Sequence, residues 1–278
     1  MARPSSLGLS ARLEIQESLR SRWFHIYAFV FIGLMLLLAV TGVAESRVLG
    51  FTGLSRLLVT YIQITMAILP LFVLVTTARS LVGDREAGNL EYMLAFPIPL
   101  VSWYWGKFLG RLVLIIVPVL VALGLALTYG LVRGHSIPWP QISLYAGLSA
   151  SLAICFLGMG FFLSSLARST EVALGATLLI WLTLVAFLDL ILLSALIKAH
   201  MNPDVVVAIA LANPLQSFRT AAMILFDPQL ILLGPSAYLI LDTFGVAGYV
   251  AWALAYPAAL GLGFAVLGYW RFSRGDLV

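Results

Sequence analysis

Charge is what this sequence has least of. Asp, Glu, Lys and Arg make up 10% of its 278 residues, against 62% apolar residues. A soluble domain carries about 25% charged and about 45–50% apolar residues. So few charges cannot dress a soluble surface, and a mean hydropathy of +1.05 reads as a chain embedded in a bilayer. Cysteine occurs once, at Cys155. That excludes an intrachain disulfide and leaves the redox compartment open. His25, His135 and His200 are the only histidines, and they are scattered. No Cys-x-x-Cys or Met-x-x-Met is present. Cys155 and Met159 stand four apart on one helix face, a pairing that suits Cu(I), but one pair falls below the usual ligand count. Packed core sulfur is the simpler reading, and no metal or other cofactor is expected. A Gly-x4-Gly-Lys-Ser/Thr loop is also missing: Gly106-Lys107 lacks both the first glycine and the hydroxyl. The chain therefore carries no ATP site of this kind and is not expected to be an enzyme.

What is present is long apolar runs. Six stretches reach the roughly 20 residues needed to cross about 30 Å of hydrocarbon: 24–44, 57–78, 112–132, 144–166, 172–193 and 246–270. Helix is the expected conformation, because each backbone group must be satisfied within its own segment. The alternation that barrel strands would show is absent. The expectation is an all-α polytopic membrane protein, with residues 1–278 as one transmembrane domain of six helices. The leader Met1–Arg22 holds four arginines, and the apolar run after it is too long for a signal-peptide core, so a retained signal-anchor is expected.

The Lys and Arg residues divide unevenly between alternate loops. Eleven fall on one side: Arg3, Arg12, Arg20, Arg22, Arg79, Arg85, Lys107, Arg111, Arg168, Arg271 and Arg274. Five fall on the other: Arg47, Arg56, Arg133, Lys198 and Arg219. The richer side is the cytoplasmic one, so both termini are expected there, in a multi-pass protein of the inner membrane. The isoelectric point of 9.4 is explained by this asymmetry, and no nucleic acid partner is expected.

Three segments outside the spans carry information. Over 9–23, Leu9, Leu13, Leu19 and Trp23 share a helical face while Glu14, Glu17 and Ser18 point elsewhere, the pattern of a helix lying in the inner interface and touching membrane lipid. An ordinary solvated leader is the alternative. The outer stretch 194–245 holds short apolar runs broken by Pro203, Pro214, Pro228 and Pro235. It either dips into the outer leaflet and returns or packs beneath an external partner. The third is the inner loop Gly83-Asp-Arg-Glu-Ala-Gly-Asn-Leu-Glu-Tyr-Met-Leu-Ala-Phe-Pro-Ile-Pro99. Asp84 can cap a helix over 85–96 and Pro97 can stop it. Ala87, Leu90 and Leu94 share its apolar face, with Met93 beside them. That face packs either on the bundle or in a groove of a partner.

Glu86-Ala-Gly-Asn-Leu-Glu-Tyr-Met-Leu-Ala-Phe-Pro97 resembles the segment Glu-x-Gly-Thr-Leu-Glu-x-Leu-Leu-Ala-x-Pro that recurs between the second and third spans of ABC-2 type permeases. Asn89 stands where threonine is usual and Met93 where leucine is usual. Lys107 in Trp105-Gly-Lys-Phe108, Asn213-Pro-Leu-Gln-Ser-Phe218 and Phe272-Ser-Arg-Gly-Asp-Leu277 fit the same family, and the resemblance covers the whole chain. It implies an ABC-2, type V exporter-like permease fold with an N-terminal interfacial helix and 85–96 as a coupling helix. It also implies a second copy of the chain and two separate ABC ATPase subunits, with Glu86, Gly88, Asn89, Leu90, Glu91, Met93 and Leu94 contacting or shaping the ATPase interface. Within the family, the outer stretch Phe218–Tyr238 and its long-loop setting resemble the permeases of nitrous oxide reductase maturation. That implies service to copper–sulfur centre assembly together with a periplasmic β-helical copper-handling protein. An ABC-2 exporter of a drug, lipid or polysaccharide is the alternative.

The spans themselves bear on mechanism. Within the boundaries above, their only ionisable group of the Asp, Glu, Lys or Arg type is Asp189, near the outer end of its helix. An ion or proton path needs paired ionisable groups inside the bundle, so secondary transport is poorly supported. Membrane-embedded catalysis would need clustered carboxylates or histidines at depth, and none is seen. Pro70, Pro118 and Pro257 can kink the second, third and sixth spans. Gly106/Gly110, Gly158/Gly160 and Gly261/Gly263 permit close helix approach.

Overall fold

The structure is a computed structural model describing residues 6–40, 53–95, 98–132, 139–187, 203–224 and 235–274. Regular structure in these residues is helical throughout. In chain order the elements are α1 (Ser6–Leu19), α2 (Arg22–Val40), α3 (Gly53–Ala78), α4 (Ser80–Glu86), α5 (Asn89–Leu94), α6 (Leu100–Val132), α7 (Trp139–Leu166) and α8 (Thr170–Leu182). A π-helical turn, Thr183–Phe187, continues α8. After it come α9 (Pro203–Ala212), α10 (Pro214–Ile224) and α11 (Pro235–Arg274).

Among the described residues, four helical stretches are long and apolar enough to cross a membrane: Tyr61–Glu86, Leu100–Tyr129, Trp139–Leu166 and Gly245–Arg274. They coincide with the second, third, fourth and sixth expected spans. Arg22–Leu34 and Thr170–Ala186 are shorter apolar helices. The remainders of the first and fifth expected spans, 41–44 and 188–193, lie outside the described residues. The third span begins earlier than hydropathy marks it, at Leu100, because its first three turns are an aromatic and basic entry (Trp103, Tyr104, Trp105, Lys107) that joins the same helix.

The bundle is assembled around α7. Tyr145, Leu152, Phe156 and Phe161 on this helix are all fully or nearly fully buried, packed among α3, α6, α8, α10 and α11. Its tightest neighbour is α11. A Cβ on Gly158 would run into the Gly261 backbone, and one on Gly261 into the Ile154 carbonyl. Only glycine lets these two backbones touch, the small-residue mode of packing that replaces a hydrophobic driving force in lipid. Tyrosine hydroxyls add polar links between helices. Tyr27 donates to the Ile115 carbonyl at 3.2 Å, Tyr104 to Ala265 at 2.8 Å and Tyr145 to Ala222 at 2.8 Å.

At the end of the bundle opposite the α4–α5 turn, α9 and α10 fold back into the protein. Nearly every residue of α10 is buried, and α10 packs on α3, α7 and α11. Asn213 holds the entry: its Oδ1 accepts from the Leu215 N–H at 3.0 Å, and its Nδ2 donates to the Leu184 carbonyl in the π turn at 3.2 Å. The last carbonyls of α9 are taken by α11, Leu211 by the Trp252 indole N–H and Ala212 by the Tyr256 hydroxyl. Before Pro235, the described part of 194–245 thus packs back against the bundle. Its closing part, Pro235–Asp242, is helical, and Gly245 at φ 68° kinks the chain into the sixth span, a backbone setting that glycine alone tolerates without strain.

Candidate coupling surface

α4 begins where α3 ends, and its first-turn donors need partners. Ser164 on α7 supplies one, accepting from both Leu81 N–H (2.9 Å) and Val82 N–H (3.1 Å). Ser80, Leu81 and Val82 are buried, so the start of α4 is fixed to the bundle. The helix then stops. Ala87 N–H bonds to Gly83 and Gly88 N–H to Arg85, and Gly88 takes φ +69°, the left-handed C-terminal signal that glycine favours.

The continuous coupling helix expected over 85–96 is therefore two helices, α4 and α5, broken at Ala87–Gly88. Asp84 does not cap it. Arg79 occupies the N-cap of α4 without a side-chain bond, and Asp84 sits within α4 and pairs with Lys107. The break also parts Ala87 from Leu90: Ala87 is exposed, while Leu90 is only 1% exposed and packs in the core. Phe96 and Pro97 lie outside the described residues.

Around this break the chain presents an exposed knuckle. Glu86, Gly88, Asn89 and Glu91 are exposed. Leu90 instead is buried and anchors α5 inward, where it can shape the knuckle but not present its side chain. Met93 and Leu94 lie on α5, with side chains outside the described part. Tyr92, which sequence reading passed over, is 78% exposed. A tyrosine at the tip of a charged turn is a recognisable interface signal.

The knuckle is wired to two other elements. On one side, the Glu86 carboxylate accepts from Thr170 N–H at 3.1 Å and from the Thr170 hydroxyl. Ser169 caps the same end of α8, its Oγ accepting from Val172 N–H at 3.3 Å. Glu86 thus places an anion at the positive end of α8.

On the other side is a buried charge network. Glu14 of α1, 6% exposed, accepts from Arg111 Nε at 2.5 Å and lies 3.6 Å from Lys107 Nζ. Lys107 also pairs with Asp84, and Arg111 donates to the Thr76 carbonyl of α3 at 2.6 Å. Burial pushes the Glu14 carboxyl up, but the charges of Arg111 and Lys107 and their hydrogen bonds outweigh it and hold the group below the ordinary carboxylate range. α1, α3, α4 and α6 meet at these four side chains.

The amino-terminal helix is therefore differently placed from its sequence reading. It spans Ser6–Leu19, Trp23 belongs to α2, and the Glu14 side faces inward. The reason is Gly106 and Gly110, which let α1 lie directly on α6: a Cβ on Gly110 would stand 2.8 Å from the Ala11 carbonyl. Leu9, Leu13 and Leu19 face outward. A cleft of about 270 Å³ opens between α1, α5 and the start of α6, with Asp84 and Lys107 among its lining and Asn89, Tyr92 and Trp103 beside them. Trp103 stacks on Phe272 at 5.8 Å, and the Arg85 guanidinium lies 5.8 Å from the same ring. The end of α11 thereby joins the knuckle. These contacts join the knuckle to α6, α8 and α11.

Comparison with known proteins agrees with a transport role. The family model for ABC-2 family transporter proteins matches residues 9–277. The chain is 27% identical over 226 residues to a Pseudomonas aeruginosa protein described as a probable ABC transporter permease protein NosY, with 78% of this chain and 81% of that protein covered. A Stutzerimonas stutzeri protein of the same description is 28% identical over 216 residues, covering 75% of this chain and 78% of that protein. With its apolar spanning helices and a match over nearly its whole length, the chain belongs to the ABC-2 transporter family, as a multi-pass permease subunit of an ABC transporter.

Proposed function

We propose that this permease is driven by separate ATPase subunits that grip the α4–α5 knuckle, and that two copies of the chain and two ATPases form the working unit. The observation that carries this reading is the knuckle itself. Glu86, Gly88, Asn89, Glu91 and Tyr92 are exposed, while Glu86 and Asp84, at its base, are tied to α8 and α6. Leu90 keeps α5 seated, and Met93 and Leu94 complete the short helix. With the knuckle in the cytoplasm, both termini lie there too, as the excess of Lys and Arg on that side favours, and the protein resides in the inner membrane.

The work delivered outside is of one of two kinds: mechanical change passed to a periplasmic partner through 194–245, or movement of a small or lipophilic species. Few buried charges in the spans favour both over hydrophilic solute export. We read the partner as a periplasmic β-helical copper-handling protein and the process as copper–sulfur centre assembly of nitrous oxide reductase. This rests on the outer stretch Phe218–Tyr238 and on the shared description of the two relatives. The test pairs Glu91→Lys with Tyr92→Ala, two exposed positions without side-chain bonds among the described residues. The double variant is expected to keep its melting temperature and lose co-purification of the ATPase subunit. Retention of the ATPase with normal activity rejects the docking surface. Deleting the chain from its host should leave nitrous oxide reductase without its copper–sulfur centre; a host with intact reductase and altered drug, lipid or polysaccharide export supports the exporter instead.

A further inference from the structure

A second cavity, of about 320 Å³, lies between the α1–α2 elbow and the helices α3 and α6. Nothing in the coupling role uses it. Its volume is at the lower end of ligand-binding pockets, about 300–1,000 Å³. One wall is apolar and runs towards membrane depth: Phe24, Phe72, Leu114 and Ile115. Phe72 is held flat by stacking on Tyr27 at 3.8 Å. The other wall is polar and lies at the level where α1 meets the membrane, marked by Trp23.

That polar wall carries an unneutralised pair of opposite charges. Arg79 and Glu17 both line the cavity and both are exposed. Neither enters an ion pair among the described residues, and they do not pair with each other. The remaining charges there are accounted for: Glu14 is committed to Arg111 and Lys107, and Arg111 to Glu14 and the Thr76 carbonyl. Arg79 is felt electrostatically at Glu86 but makes no contact with it. A cation and an anion facing one apolar-walled space call for a ligand with both signs in its head and a hydrocarbon tail. An ammonium suits Glu17, a phosphate suits Arg79 with its planar donor fork, and acyl chains suit Phe24, Phe72, Leu114 and Ile115.

We propose that this cavity is a binding site for a zwitterionic glycerophospholipid bearing a primary ammonium, drawn from the leaflet on the side of the α4–α5 turn. The lipid's head sits against α1 beside the Glu14 network and one helical step from the start of α4, so its presence braces the elbow on which the coupling surface is built.

The experiment is native mass spectrometry of the purified full-length chain, delipidated in detergent and titrated separately with dioleoyl phosphatidylethanolamine, dioleoyl phosphatidylglycerol and free phosphoethanolamine. One phosphatidylethanolamine per chain is expected to be retained about five-fold more than phosphatidylglycerol, the scale of one interfacial charge contact. Arg79→Ala should reduce retention of both lipids. Glu17→Gln should remove the preference between them. Leu114→Trp, which fills the cavity without altering charge, should reduce phosphatidylethanolamine retention by itself. Equal retention of both lipids by the unaltered chain overturns the assignment, as does retention unchanged in Leu114→Trp, which would indicate lipid held only around the bundle. Binding of free phosphoethanolamine as tight as that of the lipid would overturn the membrane as its source.

Discussion

Ser151 on α7 stands inside the hydrogen-bond ladder of α11, accepting from the Ala258 N–H at 3.1 Å while donating to the Leu254 carbonyl at 2.7 Å. Those two groups, four residues apart, would bond each other in an unbroken helix. Pro257, which has no N–H of its own to give to the ladder, stands next to Ala258, and the serine hydroxyl bonds both groups from the neighbouring helix. One side chain of α7 is thus tied to two backbone groups of α11.

Removing that hydroxyl takes away two hydrogen bonds between α7 and α11 in a setting where water is scarce. Ser151→Ala is expected to destabilise the bundle by about 1–3 kcal/mol, read as a lower melting temperature in detergent. Ser143→Ala, on the exposed start of the same helix, should change little. An unchanged melting temperature for Ser151→Ala would mean that the serine does not help to hold α7 against α11.

Close packing at Gly158 and Gly261 leads to a contrast between neighbouring glycines. Gly158→Ala forces a methyl group into the Gly261 backbone, whereas a Cβ on Gly263 meets no atom within 4 Å. Overpacking of this kind costs about 1–3 kcal/mol or more. Gly158→Ala should therefore lose melting temperature, and Gly263→Ala should match the unaltered protein. Equal behaviour of the two would show that α7 and α11 do not meet at this crossing.

Much of this was legible in the amino-acid sequence, and the divide between what was and was not is physical. Hydropathy located the second, third, fourth and sixth spans because hydrocarbon selects directly on composition. Glu86, Asn89 and Glu91 could be singled out because their pattern resembles a family segment. The break at Gly88 was harder: a glycine inside a helical pattern is ordinary, and only its left-handed φ reveals a stop. Glu14 was unreadable as a buried group, because its partners Lys107 and Arg111 are some ninety residues away, and a glutamate on an amphipathic stretch reads as solvent-facing. The missed signal was Gly106 and Gly110, a small-residue face on α6 broad enough to seat another helix. Ser151 gave no signal at all, since its role depends on backbone groups of a distant helix.

The Glu14 network makes stability depend on acidity. Its carboxyl titrates below the ordinary value of 4.5, so the folded state favours the ionised form. The stabilisation is fully present above that value and is lost as pH falls through the lowered folded-state value. Melting temperature should hold from neutral pH down to the ordinary carboxylate range and then drop. Glu14→Gln is expected to cost about 3 kcal/mol at neutral pH, since it strands Arg111 and weakens the hold on Lys107 in a buried site, and to flatten part of the acid limb. Should the acid limb be identical in the variant, other carboxylates set it and Glu14 is not the group being protonated.

Glu86 separates docking from transmission. Its carboxylate bonds the first turn of α8 through Thr170, so Glu86→Ala removes one of two caps at that helix start and leaves Ser169 in place. Asn89, Glu91 and Tyr92 remain exposed and unaltered, so the ATPase subunit should still co-purify. What should fall is the increase in ATP hydrolysis on assembly with the permease, because a push on α4 no longer reaches α8 through a direct bond. Glu86→Gln keeps one acceptor oxygen for Thr170 N–H and should restore part of the loss. If Glu86→Ala abolishes co-purification while the melting temperature holds, the carboxylate belongs to the contact with the ATPase, and the path from the knuckle into the bundle runs through the α4–α7 contact at Ser164.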